Sequence, residues 1–159
     1  MQKNIILAQS EQDFAVAKSL FLEYAQWLKV DLCFQSFDKE LDDIAIQYAA
    51  PSGGIFLLNV DNQYVGCVAV RHLKGDETGK ISELKRMYIR DDYRGHGFGK
   101  VLLTKALDLA KDLSYEKICL DTLDRLKTAI TIYEKNGFYE TKPYYHNPLE
   151  TVRYFEKVL

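Results

Sequence analysis

A glycine-rich turn at the start of a helix is the part of the sequence best suited to bind a ligand. Gly95, Gly97 and Gly99 alternate directly before an apolar helical run that begins at Val101. Glycine takes positive φ and lets the main chain approach a ligand closely. A helix start presents unpaired N–H groups and the positive end of the helix dipole. Together these features predict an anion site, most often one for phosphate, over residues 94–100.

Two common phosphate-binding motifs do not fit these residues. A Walker loop follows the pattern G-x-x-x-x-G-K-(S/T), but Arg94 stands at its first glycine position and Val101 at its hydroxyl position. A dinucleotide-binding fingerprint needs a third glycine at the position where this chain has Lys100. A nucleotide-binding enzyme of either kind is therefore disfavoured.

A different pattern, (Q/R)-x-x-G-x-(G/A), does fit the segment from Arg94 to Gly99. This segment resembles the pyrophosphate-binding signature of the GNAT superfamily of acetyl-CoA-dependent N-acetyltransferases. Residues 129–138, which include Tyr133, resemble the second signature of that family, a helix that carries a tyrosine and ends in a Gly-Phe pair. The two segments stand in the order of the family, and the resemblance covers roughly residues 54–159.

The resemblance implies a GNAT-type α/β fold with a central mixed, mostly antiparallel sheet flanked by helices. Residue periodicity predicts the order β-α-α-β-β-β-α-β-α-β-β. Ser10 is expected to cap the first helix, residues 38–49 to form the second, and residues 61–63 to make a hairpin turn. We expect a single N-acetyltransferase domain over residues 1–159, a length that can bury a core.

The composition is that of a soluble globular protein, with 47% hydrophobic and 28% charged residues. A net charge of −2 gives no attraction to nucleic acid or to an anionic membrane, so neither is an expected partner. The absence of a long apolar run or a signal peptide predicts a cytoplasmic location, with the three cysteines reduced. The histidines and cysteines lack metal-ligand spacing, so no metal is expected.

The reaction that the resemblance implies is direct transfer of the acetyl group of acetyl-CoA, the cosubstrate, to an amine. In the family the glycine turn holds the pyrophosphate, and here it consists of Arg94, Gly95, His96, Gly97, Phe98, Gly99 and Lys100. The main chain of Met87, Tyr88 and Ile89 would hydrogen-bond the pantetheine arm. Leu126 departs from the family, which often has a cofactor-contacting asparagine seven residues before the tyrosine.

Glu83 is the candidate base that removes the proton of the amine, because related acetyltransferases carry a glutamate on this strand. Regular strand alternation predicts that Glu83, Lys85 and Met87 share one face. The alternative is a surface carboxylate that pairs with Lys85 or Arg86, and such pairs contribute only about 0 to 1 kcal/mol.

Tyr133 is the candidate acid that protonates the departing thiolate, since a thiol has a pKa of about 8.5 and leaves poorly without a donor. The alternative is a half-buried helix tyrosine that packs with Ile130 and Phe138. A cysteine nucleophile is disfavoured, because Cys67 and Cys119 lie in apolar runs without a nearby histidine.

The acceptor pocket of the family is formed by the first two helices and the loop before the last strand. In this chain those segments contain the aromatic residues Tyr24, Trp27, Phe34, Tyr144 and Tyr145. Asp121 and Glu150 could meet a cationic amine. The sequence leaves a small-molecule or a peptide amine open, and GNAT domains often form homodimers through late strands. A second function remains open, a non-catalytic module that binds or senses an acyl-CoA.

Overall fold

Seven strands form one mixed sheet with the order β1-β2-β3-β4-β5-β7-β6. The computed structural model describes residues 1–159 apart from the side chain of Phe34, so the prediction for Phe34 lies outside the described part. The strands are β1 (Lys3–Leu7), β2 (Gly54–Val60), β3 (Gln63–His72), β4 (Ile81–Ile89), β5 (Lys117–Leu123), β6 (Tyr139–Thr141) and β7 (Val152–Val158). Only β4 and β5 pair in parallel, which confirms the mixed, mostly antiparallel sheet.

Helices cover both faces of the sheet. One face carries α1 (Glu11–Leu28), α2 (Phe37–Asp42) and α3 (Ile44–Gln47), and the other carries α4 (Phe98–Asp112) and α5 (Lys127–Lys135). Short 3-10 helices span Cys33–Gln35 and Asp91–Tyr93. The predicted element order is correct except that the second helix divides at Asp43, which leaves helical geometry with φ −105° and ψ 21°. Aspartate has a low helix propensity, which agrees with a break at this residue.

Local sequence signals account for the start of α1 and for the β2–β3 hairpin. The Ser10 hydroxyl accepts from the Asp13 N–H at 3.1 Å, and the Asp13 carboxylate accepts from the Ser10 N–H at 3.2 Å. This reciprocal capping box confirms the predicted start of the helix. Asp61 and Asn62 both have positive φ, at 49° and 68°. That geometry matches the twist of the flanking antiparallel strands and closes the predicted hairpin.

An irregularity in β4 opens the sheet between β4 and β5. The two strands pair over only three positions, the last of which joins Glu83 to Cys119. The register of β4 with β3 shifts in mid-strand, and Arg86 has a φ of 55°, as expected for a β-bulge. From Leu84 onward the main-chain edge of β4 that faces β5 is therefore unpaired.

The bulge corrects the prediction that Glu83, Lys85 and Met87 share one face of β4. Met87 packs against the core under α4 and α5, on the same face as Leu84. Tyr88 instead packs against the core under α1 to α3. The extra residue at the bulge shifts the side-chain alternation by one position, so only the residues before it follow the expected pattern.

Five buried charged residues lie under α1 to α3 and hold the bulge in place. We call them the buried ion cluster: Glu40, Arg71, Glu83, Lys85 and Arg86. The guanidinium of Arg86 donates two hydrogen bonds to the carboxylate of Glu40, at 2.8 and 3.0 Å. Arg71 donates to Glu83 at 3.2 Å and lies 3.8 Å from Glu40. The cluster thus joins α2 to two adjacent strands.

Replacement of Glu40 by glutamine is expected to destabilise the fold by about 3 to 5 kcal/mol, because it leaves Arg86 buried without its partner. The free energy of unfolding in urea measures this loss. Glu140→Gln is the matched control, because Glu140 also accepts two hydrogen bonds from one arginine, Arg153, but lies at the surface. The control should stay close to the wild type, and equal losses for both variants would contradict the structural role of Glu40.

Candidate active site

A channel with a volume of about 490 Å³ occupies the opening between β4 and β5. Its walls come from residues 84–89 of β4, residues 120–122 of β5, the start of α5, the glycine turn and two aromatic residues of α1. A side cavity of about 40 Å³ adjoins it and shares several lining residues, among them Lys85, Asp121 and Leu126. The opening thus provides one long site with a smaller compartment beside it.

The glycine turn meets the channel at the start of α4. Gly95 and Gly97 have φ values of 83° and 79°, in the left-handed region that favours glycine. Gly97 is the N-cap of α4, and among the described side chains none caps this end. The first-turn N–H groups therefore lack side-chain partners and are suited to an anion. Phe98 is buried in the core and offers only its main chain, whereas Lys100 is exposed.

Arg94 lines the channel at the first position of the glycine turn. Its Nε donates to the carbonyl of Ile89 at 2.8 Å, and its guanidinium forms a 2.6 Å ion pair with Asp91. The guanidinium carbon lies 4.2 Å from the ring centre of Trp27, within the range of a cation–π contact. These contacts fix the Arg94 side chain against α1 and the end of β4.

Three aromatic rings form one wall of the channel. Tyr24, Trp27 and Tyr88 line it, with ring centres 5.9 to 6.3 Å apart. Tyr24 and Trp27 were predicted to line the acceptor pocket. They therefore line the same channel as residues 84–89 of β4. Trp27 is the only tryptophan in the chain.

Tyr133 lines the channel from α5 and also packs on the ring of Phe138, with ring centres 5.7 Å apart. Among the described residues its hydroxyl has no hydrogen-bond partner, and the side chain is 6% exposed. Burial, followed by the nearby groups of Tyr24 and Asp121, raises the pKa of Tyr133. The phenol therefore stays protonated and can donate to an atom in the channel.

Glu83 lies in the buried ion cluster, with an exposed fraction of 3%. One carboxylate oxygen accepts from Arg71, and the other accepts from the hydroxyl of Tyr144 at 2.8 Å. Burial raises the pKa of Glu83, but the charges of Lys85 and Arg71 and the hydrogen bonds outweigh it and hold the pKa below its usual value. A lowered pKa weakens a base, so the predicted role of Glu83 stays a prediction without direct support from this geometry.

Asp121 is a second carboxylate at the site, and it lines both the channel and the side cavity. Its Oδ2 accepts from the hydroxyl of Tyr145 at 2.7 Å and lies 3.5 Å from amide nitrogens of Gln35 and Asn147. The side chain is half-buried. Tyr144 and Tyr145, predicted as acceptor contacts, thus each hold a carboxylate in position.

Three roles in the site were not predicted from the sequence. Gln35 and Lys85 line the side cavity, and Arg71 anchors Glu83. One signal was available, because Arg71 and the Lys85-Arg86 pair interrupt apolar strand segments. Buried charges are almost always paired, so such interruptions indicate an internal ion network.

The two buried cysteines are poorly suited to act as nucleophiles. Burial raises the pKa of the Cys119 thiol to about 12 and also raises that of Cys67, which keeps both thiols protonated.

Within the described residues there is no group of three or more side chains suited to hold a metal ion. None of the helices described for residues 1–159 has both the length and the apolar character needed to cross a membrane.

Comparisons with known proteins agree with this geometry. The sequence model of the acetyltransferase (GNAT) family matches residues 21–138. The chain is 39% identical over 145 residues to an uncharacterized N-acetyltransferase of Schizosaccharomyces pombe, covering 90% of this chain and 86% of that protein. It is 30% identical over 123 residues to the uncharacterized Escherichia coli N-acetyltransferase YjgM, covering 77% and 72%.

Solved structures share the fold over the whole chain. A GNAT acetyltransferase from Staphylococcus aureus superposes with a TM-score of 0.77 at 24% identity, covering 99% of both chains. The PaiA N-acetyltransferase of Thermoplasma acidophilum, crystallised with coenzyme A, superposes with a TM-score of 0.75 at 18% identity, covering 100% of both chains.

The chain therefore belongs to the GNAT family of acetyltransferases. It is an N-acetyltransferase that uses acetyl-CoA and an amine acceptor. These findings confirm the predicted family, fold, enzyme class and cosubstrate, and they favour the enzyme over a non-catalytic module.

Lys100→Ala is expected to weaken acetyl-CoA binding roughly fivefold, because Lys100 is an exposed cation in the first turn of α4, where the diphosphate is predicted to bind. Titration of the fluorescence of Trp27 with acetyl-CoA measures the Kd. Lys105→Ala is the matched control, since Lys105 is exposed further along the same helix. The same Kd for both variants would argue against a diphosphate at this end of α4.

Proposed function

We propose that this enzyme acetylates a primary amine of a small molecule or a peptide, and that one domain over residues 1–159 carries the activity. The observation that carries this proposal is the continuity of the channel. The same cavity is lined by the glycine turn, by the main chain of β4, and by Tyr133 and Asp121. The diphosphate and the reacting groups of one bound acetyl-CoA could therefore occupy a single site.

In this proposal the main chain fixes the cosubstrate. The N–H groups at the start of α4, with Arg94 and Lys100, would bind the diphosphate. The unpaired edge of β4 at Met87, Tyr88 and Ile89 would hydrogen-bond the pantetheine arm. Fixing the thioester next to the amine can supply several kcal/mol of the barrier reduction, roughly 7 at the low end.

The neutral amine, having lost its first proton to the base, would attack the thioester carbonyl. The carbon–sulfur bond would break as the amide forms, and the nitrogen would release its second proton to solvent. Tyr133 would give its phenolic proton to the departing thiolate and regain one from solvent. The absence of a hydrogen-bond partner for this phenol among the described residues supports the role, because the donor is not engaged elsewhere.

Two carboxylates, Glu83 and Asp121, are candidates for the base that accepts the proton of the amine. Glu83 is the residue indicated by the family resemblance, yet both of its oxygens are engaged and its pKa is lowered. Asp121 borders the channel and is held through one oxygen, which leaves Oδ1 for the amine. We therefore propose Asp121 as the direct proton acceptor and Glu83 as the residue that positions Lys85 and Tyr144.

The location and assembly of the enzyme are also proposals. A cytoplasmic location is supported by three free cysteines, two of them buried, which a reducing compartment would preserve. The homodimer stays a prediction. It would form through the late strands, where β6 is the edge of the sheet and Tyr139 is exposed.

Incubation with acetyl-CoA and a panel of amines is expected to release free thiol, and Tyr133→Phe should lower kcat about a hundredfold with the Kd for acetyl-CoA unchanged. Thiol release measures turnover and Trp27 fluorescence measures binding. Tyr139→Phe is the matched control, because its hydroxyl contacts Glu156 at the sheet edge. Tight binding without thiol release from any amine would favour the acyl-CoA-binding module instead. Unchanged turnover in Tyr133→Phe would remove the acid role.

Asp121→Asn is expected to lower kcat/KM most at low pH, because the amine is then protonated and needs a base. The loss should shrink as the pH approaches the pKa of the amine. Glu83→Gln, checked for folding by its thermal melting, should cause a loss that varies little with pH. The reverse pattern in the two pH profiles would assign the base to Glu83.

A further inference from the structure

The side-chain amide of Gln35 bridges two opposite charges in the wall of the side cavity. The ammonium of Lys85 donates to Gln35 Oε1 at 3.1 Å, and Gln35 Nε2 lies 3.5 Å from Asp121 Oδ2. Lys85 and Asp121 line both the side cavity and the channel, the compartment where the acetyl group would be transferred. A neutral donor–acceptor group therefore sits between a cation and an anion.

Lys85 is the least well matched cation of the buried ion cluster. The cluster holds three cations and two carboxylates, and Arg71 and Arg86 take those carboxylates at distances of 2.8 to 3.3 Å. Lys85 lies 3.8 Å from Glu83, although it is only 5% exposed. Burial lowers the pKa of Lys85, as expected for an ammonium without a close counterion. A further carboxylate beside Lys85 would complete the pairing.

We propose that the acceptor is a free amino acid, an amine that carries a carboxylate next to its nitrogen. Its amine would meet Asp121 and its carboxylate would meet Lys85, in the place that the amide of Gln35 occupies. This inference rests on the proposed acetyl transfer to an amine and narrows its acceptor. A peptide amine is excluded by it, because a peptide has no carboxylate beside its terminal nitrogen.

The side cavity indicates the side chain of that amino acid. Its remaining wall is mostly aliphatic and includes Leu28, Val30, Leu32, Leu123 and Leu149. Apolar surface in such a compartment favours an apolar group that displaces water. An aliphatic side chain of modest size therefore fits the compartment better than a charged one, and leucine is a suitable probe.

The test uses the full chain, saturating acetyl-CoA and three matched amines: leucine, leucinamide and 3-methylbutylamine. We expect kcat/KM for leucine to exceed that of the other two at least about tenfold, because a buried cation built to bind a carboxylate is left unpaired by the analogues. The amide has the least basic amine, so a preference for leucine cannot come from easier deprotonation. Lys85→Gln should reduce this preference to about threefold or less, through KM, with the Kd for acetyl-CoA unchanged.

Each alternative result has a distinct meaning. Equal kcat/KM for leucine and 3-methylbutylamine overturns the inference and leaves the proposed function standing. Absence of thiol release with every amine overturns both. If Lys85→Gln does not fold, Gln35→Ala provides the second test. It should retain the preference for leucine, because the amide only occupies the substrate position, and loss of the preference in Gln35→Ala would contradict the role of Lys85.

Discussion

The structure depends on the separation of β4 from β5, which follows from the bulge at Arg86. A non-glycine residue with φ near 55° costs roughly 1 to 2 kcal/mol in this region of the backbone map. The paired guanidinium of Arg86 and carboxylate of Glu40 fix the bulge from the α2 side. Such a buried pair contributes little net stability, because desolvation offsets the attraction, but it specifies one geometry. That geometry leaves a strand edge unpaired and a channel beside it.

The bulge also determines which side chains of β4 lie on each face of the sheet. Met87 and Leu84 belong to the apolar face under α4, next to the helix that starts at the glycine turn. Lys85 and Glu83 belong to the opposite face, where the charged groups and the side cavity lie. The proposed anion site and the proposed acceptor site would thus lie on different sides of one strand.

The parts of this fold that the sequence predicted are those encoded by neighbouring residues. The glycine turn, the Ser10 cap and the position of Tyr133 follow from short patterns, and the overall fold follows from their order. The bulge at Arg86 could not be read in this way, because it depends on Glu40, which is remote in sequence. The same limit applies to the contact of Gln35 with Lys85 and Asp121, which joins three distant segments.

Net charge explains why an amino acid suits this site better than a simple amine. The buried ion cluster and Asp121 together contain three cations and three carboxylates, so the charges of these six groups balance. A simple ammonium would add an unmatched positive charge near Lys85, and burial of unpaired charge is costly. A zwitterion adds none, and its two ends match Lys85 and Asp121. In the proposed reaction, transfer of its proton to Asp121 would make that carboxylate neutral while the carboxylate of the acceptor would still pair with Lys85. The positive charges would therefore keep their partners as the reactive neutral amine forms.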